Sequence, residues 1–380
     1  MKIALLTDGV YPYVMGGIQK HSYYLAKSLV RHGIYIDLYH TGPAEADTYQ
    51  LHGFTDSELT YIKPIYISFP SITRFPGHYL FKSYIYSRSI YQELTKREKV
   101  DLIYCQGLTG WYLIKQSGSM PIILANLHGL NMYQYSASIK AKLEDWMLRL
   151  ATNSILKKSN YVVSLGGKLS HLLEVIGVNR SKIVEQPIGI GANWLIEKVN
   201  INFESQSNRR FVFVGRYDKV KGIDLLSNIL TDLEVDNFEF YFIGPIPEEK
   251  QLKQNNIKYL GLIKDEQEIK TLLRSVDVLV CPSYSEGMPT VILEAMASGL
   301  AIIASDVGAV GTMVSSENGW LIPVADKIAL REAIQEAINL NESILSKKKE
   351  KSWKLVKDHY TWDKVIALTL DKFNSIVNKQ

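Results

Sequence analysis

Short β-branched runs alternate with longer amphipathic stretches along this chain, and the alternation runs through twice. That rhythm constrains the fold more than any other feature. A repeated strand–helix–strand pattern closes as a parallel sheet covered by helices. In the first pass, Lys2–Thr7, Ile34–Tyr39, Leu102–Cys105, Ile122–Leu127 and Tyr161–Ser164 read as strands. Ile18–His32, Phe81–Lys96 and Ile139–Lys158 read as helices, and Gly33 supplies a stop signal after the first. Val199–Asn208 is polar and unpatterned and reads as a linker. The rhythm restarts with strands at Phe211–Val214, Phe238–Ile243, Val276–Val280 and Ala301–Ala304. Helices are predicted at Ile223–Leu230, Gln267–Arg274, Pro289–Ser298 and Lys327–Leu340. The expectation is an α/β chain of two doubly wound domains, residues 1–195 and 209–360, with a final helix in residues 362–380 packing back on the first. Ligands of such sheets bind beyond the carboxyl ends of the strands, so a cleft between the two domains is the expected site.

Composition narrows the function classes. No run approaches the roughly 18 apolar residues that span a bilayer. The apolar start meets Asp8 too early for a signal peptide, so a cytoplasmic location is expected. The two cysteines, Cys105 and Cys281, sit in apolar strand-like runs and read as buried thiols rather than a disulfide framework. Charge is divided unevenly. Residues 1–195 hold 20 Lys+Arg against 13 Asp+Glu, a net of +7, and residues 196–380 hold 23 against 26, a net of −3. A cationic first half fits an anionic lipid surface, a phosphorylated acceptor or nucleic acid on charge alone, but no nucleic-acid-binding motif is present.

Three motifs carry chemistry. In Pro282-Ser-Tyr-Ser-Glu-Gly-Met-Pro-Thr-Val-Ile-Leu-Glu294, a strand ends and a helix begins near Pro289. Glu286 falls in the loop and Glu294 about one turn into the helix. The amides from Gly287 to Thr290 lack intrahelical partners and can bind an anion or hydroxyl. In Val214-Gly-Arg-Tyr-Asp-Lys-Val-Lys-Gly222, Arg216 and Lys221 lie on a turn between strand and helix and can clamp a diphosphate, with Lys219 nearby. In Asp8-Gly-Val-Tyr-Pro-Tyr-Val-Met-Gly-Gly-Ile-Gln-Lys-His21, Gly16 and Gly17 let backbone approach a ligand, while His21 suits packing as well as function. Taken one at a time, these features fit surface carboxylates, a solvated basic turn and a structural histidine.

Together, in this order and at these separations, the motifs resemble the retaining glycosyltransferases of family 4, with the GT-B architecture of two Rossmann-like domains. Gln186-Pro-Ile-Gly189 and Tyr360-Thr-Trp362 extend the resemblance over nearly the whole chain. It implies that Arg216 and Lys221 hold the donor diphosphate, that Glu294 bonds the ribose hydroxyls, and that Glu286 contacts the transferred sugar. It places Gly287, Met288, Pro289 and Thr290 around sugar and phosphate, Gly16 and Gly17 on the phosphate side, and His128 against the sugar. The base is expected near backbone at Gly261–Ile263.

The implied activity is transfer of a hexosyl or N-acetylhexosaminyl group from a uridine or guanosine diphosphate sugar to a glycan or lipid-linked acceptor. Neither a cofactor nor a metal is expected, since there is no Asp-x-Asp pair and no His/Cys cluster. Arg74–Arg88 mixes aromatic and basic residues and could lie on an anionic membrane, or simply line a core with a solvated face. The chain departs from the family in Asp306-Val-Gly-Ala-Val-Gly-Thr-Met313, which lacks the glutamate usual after a glycine pair. An epimerase or phosphorylase on the same fold, or a sugar-binding protein without chemistry, are the alternatives. Lys347–Lys351 reads as a solvated helix face.

Overall fold

The computed structural model describes residues 1–14, 16–42, 51, 53–73, 75, 77–116, 120–136, 138–197, 208–235 and 237–378. The chain divides into two compact units. The first comprises Met1–Leu165, Leu169–Ile188 and Trp362–Gln380. The second comprises Gly166–Lys168 and Gly189–Thr361.

In the first unit the elements run β1 (Lys2–Leu6), α1 (Gly17–Arg31), β2 (Tyr35–His40), α2 (Asp56–Leu59), β3 (Ile62–Tyr66), α3 (His78–Leu94), β4 (Leu102–Gln106), β5 (Ile122–Asn126), α4 (Ile139–Lys158), β6 (Tyr161–Ser164), α5 (Lys168–Ile176) and β7 (Ile183–Glu185). The sheet is parallel, in the order β3-β2-β1-β4-β5-β6-β7. Helices cover both faces, so β4 and β5 are buried along their whole length and are largely apolar up to Gln106 and Asn126, which end them. One face packs Ile3, Leu5, Leu25, Leu29 and Leu124. The other packs Leu6, Tyr86, Ile90, Ile103 and Ile155. Gly33 closes α1 at φ 74°, a conformation that favours glycine.

The second unit runs β8 (Arg209–Val214), α6 (Ile223–Thr231), β9 (Phe238–Ile243), β10 (Ile257–Gly261), α7 (Glu266–Arg274), β11 (Val278–Cys281), α8 (Thr290–Ala297), β12 (Ala301–Ser305), β13 (Gly319–Ile322), α9 (Lys327–Asn339) and α10 (Glu342–Leu355). Its strands are again parallel, in the order β10-β9-β8-β11-β12-β13. Phe211, Phe238, Phe240 and Phe242 stack along one face, with the Phe211 and Phe240 rings 6.0 Å apart and nearly coplanar in orientation at 5°. Side-chain caps start α7 (Asp265) and α9 (Asp326). α8 starts without one.

Several boundaries differ from the sequence reading. The first unit stops at Ile188 rather than residue 195, because the next residues bond into the second unit. Ile190 N–H donates to Tyr360 O at 2.7 Å and Ile196 N–H to Ala297 O at 3.2 Å. Most of the predicted linker lies outside the described residues. The last helix, α11 (Trp362–Val377), belongs to the first unit, where Trp362, Ile366, Phe373 and Ile376 join the core beside α1. Lys348 and Lys349 are only part-solvated: Lys348 donates to Ser316 O at 2.6 Å and Lys349 to Asp277 Oδ1 at 3.1 Å. Edge strands β3, β7 and β13 escape the sequence rhythm, because each is only three to five residues long and is not buried along its whole length. In β3 the interior Pro64 also argues against a strand, as proline removes a ladder donor.

Candidate functional site

In both sheets the strand order reverses next to the first strand of the unit, between β1 and β4 and between β8 and β11. The crevice beyond the carboxyl ends at such a reversal is where doubly wound sheets bind ligands. The sequence-predicted residues gather at these two edges, one group in each unit.

In the second unit, β8 ends at Val214 and β11 at Cys281, and the loops that follow meet each other. Tyr284 N–H donates to Val220 O at 2.7 Å, locking them together. Lys221 Nζ donates to Glu286 Oε1 at 2.6 Å, and Ser283 Oγ donates to the same oxygen at 2.8 Å. Burial pulls the Lys221 ammonium down, but the Glu286 carboxylate beside it outweighs this and holds the amine more firmly protonated than usual. Burial pushes the Cys281 thiol up to about 11, with Glu286 adding to the effect, so this cysteine is an inert neighbour. Cys105 is buried likewise, and both cysteines are free.

Arg216 is 74% exposed and lies 3.4 Å from Asp218 Oδ2, while Asp218 caps the Lys219–Lys221 turn through Val220 N–H. That turn ends at Gly222, at φ 69°, where a Cβ would come 2.1 Å from Pro282 O. Glycine there lets the cationic loop sit directly against the glutamate loop.

Glu286 and Glu294 sit in different places. Glu286 is buried in the loop, and Glu294 is half-buried inside α8. Pro289 occupies the cap and Thr290 begins the helix, one residue later than the sequence suggests. The first turn holds no acidic residue, so the positive end of the helix dipole is not offset there. Gly287 and Met288 lead into it, and Ile263 lies just beyond β10, partly buried.

The segment that lacks the family glutamate acts as a buttress. Gly308, at φ 54°, packs so that a Cβ would come 2.3 Å from the carbonyls of both Glu286 and Gly287. Ala309 N–H donates to Gly287 O at 2.8 Å, and Lys168 reaches Asp306 Oδ2 at 2.7 Å. Glu317 pairs with Lys351 at 2.9 Å and takes no part in this loop.

In the first unit, Gly16 precedes and Gly17 begins α1. The loop before them is closed by Gln19 Nε2 donating to Asp8 Oδ1 at 2.7 Å. His128 follows β5 and holds φ 56°, which is strained for a residue with a Cβ. Its backbone N–H donates to Asn126 Oδ1 at 2.9 Å, and its Nε2 bonds Gln106 Oε1 at 2.7 Å. The Gln106 amide turns its nitrogen to His21 Nδ1 at 3.1 Å, and the two imidazoles meet edge to face at 5.0 Å. Behind them Asn126 bonds Tyr104 OH at 2.9 Å, which in turn donates to Gln186 Oε1 at 2.7 Å.

Burial holds His128 at about 4 and His21 well below its ordinary value, the latter also through His128, so both are neutral near pH 7. His21 is thus a packed core histidine, 3% exposed. Gln106, Asn126 and Tyr104 are absent from the sequence reading of the site, and Gln186 enters it only as the first residue of Gln186-Pro-Ile-Gly189. In the structure Gln106 and Asn126 end β4 and β5 at the binding edge, each one residue away from the predicted strand end.

Residues 208–339 match the family model described as "Glycosyl transferases group 1" and residues 15–192 match "Glycosyltransferase Family 4". The chain is 28% identical over 379 residues to an uncharacterized glycosyltransferase of Methanocaldococcus jannaschii, an alignment covering 96% of each. It is 29% identical over 229 residues to a Bacillus subtilis glycosyltransferase named for a provisional role in teichuronic acid biosynthesis, covering 58% of this chain and 56% of that one. The sucrose-phosphate synthase of Thermosynechococcus elongatus superposes over the full length of both chains with a TM-score of 0.81 at 20% identity, a likeness of fold.

Proposed function

Because the chain belongs to the family 4 glycosyltransferases and has their GT-B fold, we propose that it moves a sugar, with retention, from a uridine or guanosine diphosphate donor to a glycan or lipid-linked saccharide at an anionic membrane surface. The observation that carries the donor reading is the Lys221–Glu286 pair at the sheet reversal, with Arg216 beside it and an uncapped helix start just beyond. A diphosphate needs cations and amide donors, and a sugar needs a fixed acceptor for its hydroxyls. Both are set within one pair of interlocked loops.

In the proposed reaction the acceptor oxygen attacks the anomeric carbon from the face that the phosphate leaves. The bond from that carbon to the phosphate oxygen breaks, and its electron pair goes to the phosphate. That oxygen takes the acceptor's proton, so atoms and charge balance. Arg216, Lys221 and the amides from Gly287 to Thr290 stabilise the leaving charge, which is electrostatic catalysis. Glu286 accepts from a sugar hydroxyl and Glu294 from the ribose. For the first unit we assign His128 to sugar recognition, and Gly16 and Gly17 to the phosphate. Positive charge that a metal would otherwise supply is available from Arg216 and Lys221, so no metal is invoked.

A screen of nucleotide sugars by thermal shift, then transfer assays with the best donor, tests this reading. The expected product keeps the donor's anomeric configuration, seen by proton NMR, and forms fully in EDTA. An inverted product overturns the front-face mechanism. Activity lost in EDTA and restored by Mg²⁺ or Mn²⁺ overturns the metal-free reading.

A further inference from the structure

The first unit carries an apolar surface that neither its core nor the candidate site uses. α4 buries Ala151, Thr152, Ile155 and Leu156 on one side. On another, Ile139, Leu143, Trp146 and Leu150 are 86%, 58%, 56% and 58% exposed. Their spacings of four, three and four residues align them in one stripe along the helix. Beside the stripe, Phe75, Tyr79, Met147 and Glu144, over the core-packed Leu80 and Leu148, line a groove of 660 Å³ between α4 and the start of α3. Scattered exposed apolar residues need no explanation, but a contiguous stripe with a groove alongside marks an interaction surface.

Charge selects the occupant. α4 holds five cationic residues against two carboxylates, and one of those, Asp145, is engaged by Ser136 Oγ at 2.5 Å. Lys140 and Lys142 are exposed on either side of the stripe, and Lys157 and Lys158 are exposed at its end. Protein interfaces exclude lysine from their centres, whereas an apolar stripe with tryptophan between lysines suits the boundary of an anionic bilayer.

We infer that α4 and the adjoining groove form the surface on which the protein rests on an anionic membrane. Ile139, Leu143, Trp146 and Leu150 enter the acyl boundary, and Lys140, Lys142 and Lys157 reach lipid phosphates. This deepens the membrane-acceptor reading above and centres the contact on α4, with Phe75 and Tyr79 of the Arg74–Arg88 segment lining the groove beside it. That segment turns Ser83, Tyr86 and Ser87 into the core, and its Arg74 lies outside the described residues.

Co-sedimentation with vesicles of equal parts phosphatidylcholine and phosphatidylglycerol, against phosphatidylcholine alone, tests the assignment. The wild type is expected to prefer the anionic vesicles and to release in high salt. Leu143→Ser with Trp146→Ser should weaken binding by ~10-fold or more. Lys140→Glu with Lys142→Glu should abolish the preference for anionic vesicles. Both double variants should keep the donor-induced thermal shift, which reports an intact fold. If the apolar variant binds as the wild type does, the α4 surface is wrong while the membrane reading stands. Wild type that binds neither vesicle overturns both. A wild-type dimer that the apolar variant dissolves, without vesicle binding, assigns the stripe to a second copy and overturns the inference.

Discussion

Arg216 and Lys221 stand five residues apart in one motif and differ in what else they hold up. Arg216 is largely in solvent and makes a long contact to Asp218. Lys221 is the cation for a carboxylate whose side chain is 11% exposed. Arg216→Ala is therefore expected to cut turnover by ~10²-fold at unchanged melting temperature. Lys221→Ala should cut turnover similarly and also destabilise by about 2 kcal/mol, since it takes the cation from the buried Glu286 carboxylate and leaves it the neutral Ser283 hydroxyl. Steady-state kinetics with calorimetry separate the two, and equal activity of Arg216→Ala and wild type would remove arginine from the clamp.

His128 gives a pH test. Its folded value is about 4 against an ordinary 6.5, so the unfolded chain takes up a proton over that window that the folded chain refuses. The His128 contribution should fall by ~2–3 kcal/mol as pH drops from about 6.5 to about 4, with buried His21 adding to the loss. His128→Asn should flatten that slope in urea titrations at several pH values; an unchanged slope would mean that the buried imidazole is not its source. The glutamates and the cations were legible in sequence because their motifs are local. The Gln106 hub was not, because it joins His21 and His128 across 85 and 22 residues, and only the sheet brings those together.

At the scale of elements, the glycines of the two loops do different jobs. Gly222 and Gly308 combine positive φ with backbone carbonyls where a Cβ would sit. Alanine at either should cost ~2 kcal/mol or more and loosen the Glu286 loop. Gly17 has open space around its Cβ position and sits in the first turn of α1. Gly17→Ala should leave stability unchanged or raise it slightly, so any loss of transfer activity reports a ligand that comes close to the backbone there. Thermal melts paired with activity decide both cases, and a stable Gly222→Ala would show that the two loops are not held by contact.

The interior strands were readable because burial on both faces leaves them apolar, as in β11 and in β5 up to Asn126. β3 and β13 were not, since exposed or half-buried residues interrupt both and leave no such run. Pro289 shows the limit at a boundary: it marks the start of α8 but stands one residue outside it.

For the whole molecule, the double pass of strand and helix foretold two doubly wound units, and the charge division between halves pointed to the first as the cationic one. What composition could not give was the allegiance of residues 189–197, which backbone hydrogen bonds to Tyr360 and Ala297 tie to the second unit. Among the described residues no helix is long and apolar enough to cross a membrane.

The return of α11 to the first unit makes a prediction at this scale. A chain ending at Thr361 should lose stability in the first unit and keep the second folded, because Trp362, Ile366, Phe373 and Ile376 leave only the first core. Hydrogen exchange should show faster exchange in α1 and β1 with α6 and β11 protected; uniform loss would show that the units do not fold separately. The same feature sets an order of events on the ribosome. The second unit can complete its core as soon as α10 has emerged, whereas the first, though made earlier, must wait for its last helix. Of the two units the one begun earlier is therefore the later to finish folding, and through that interval its unfilled groove beside α1 is what a chaperone would meet.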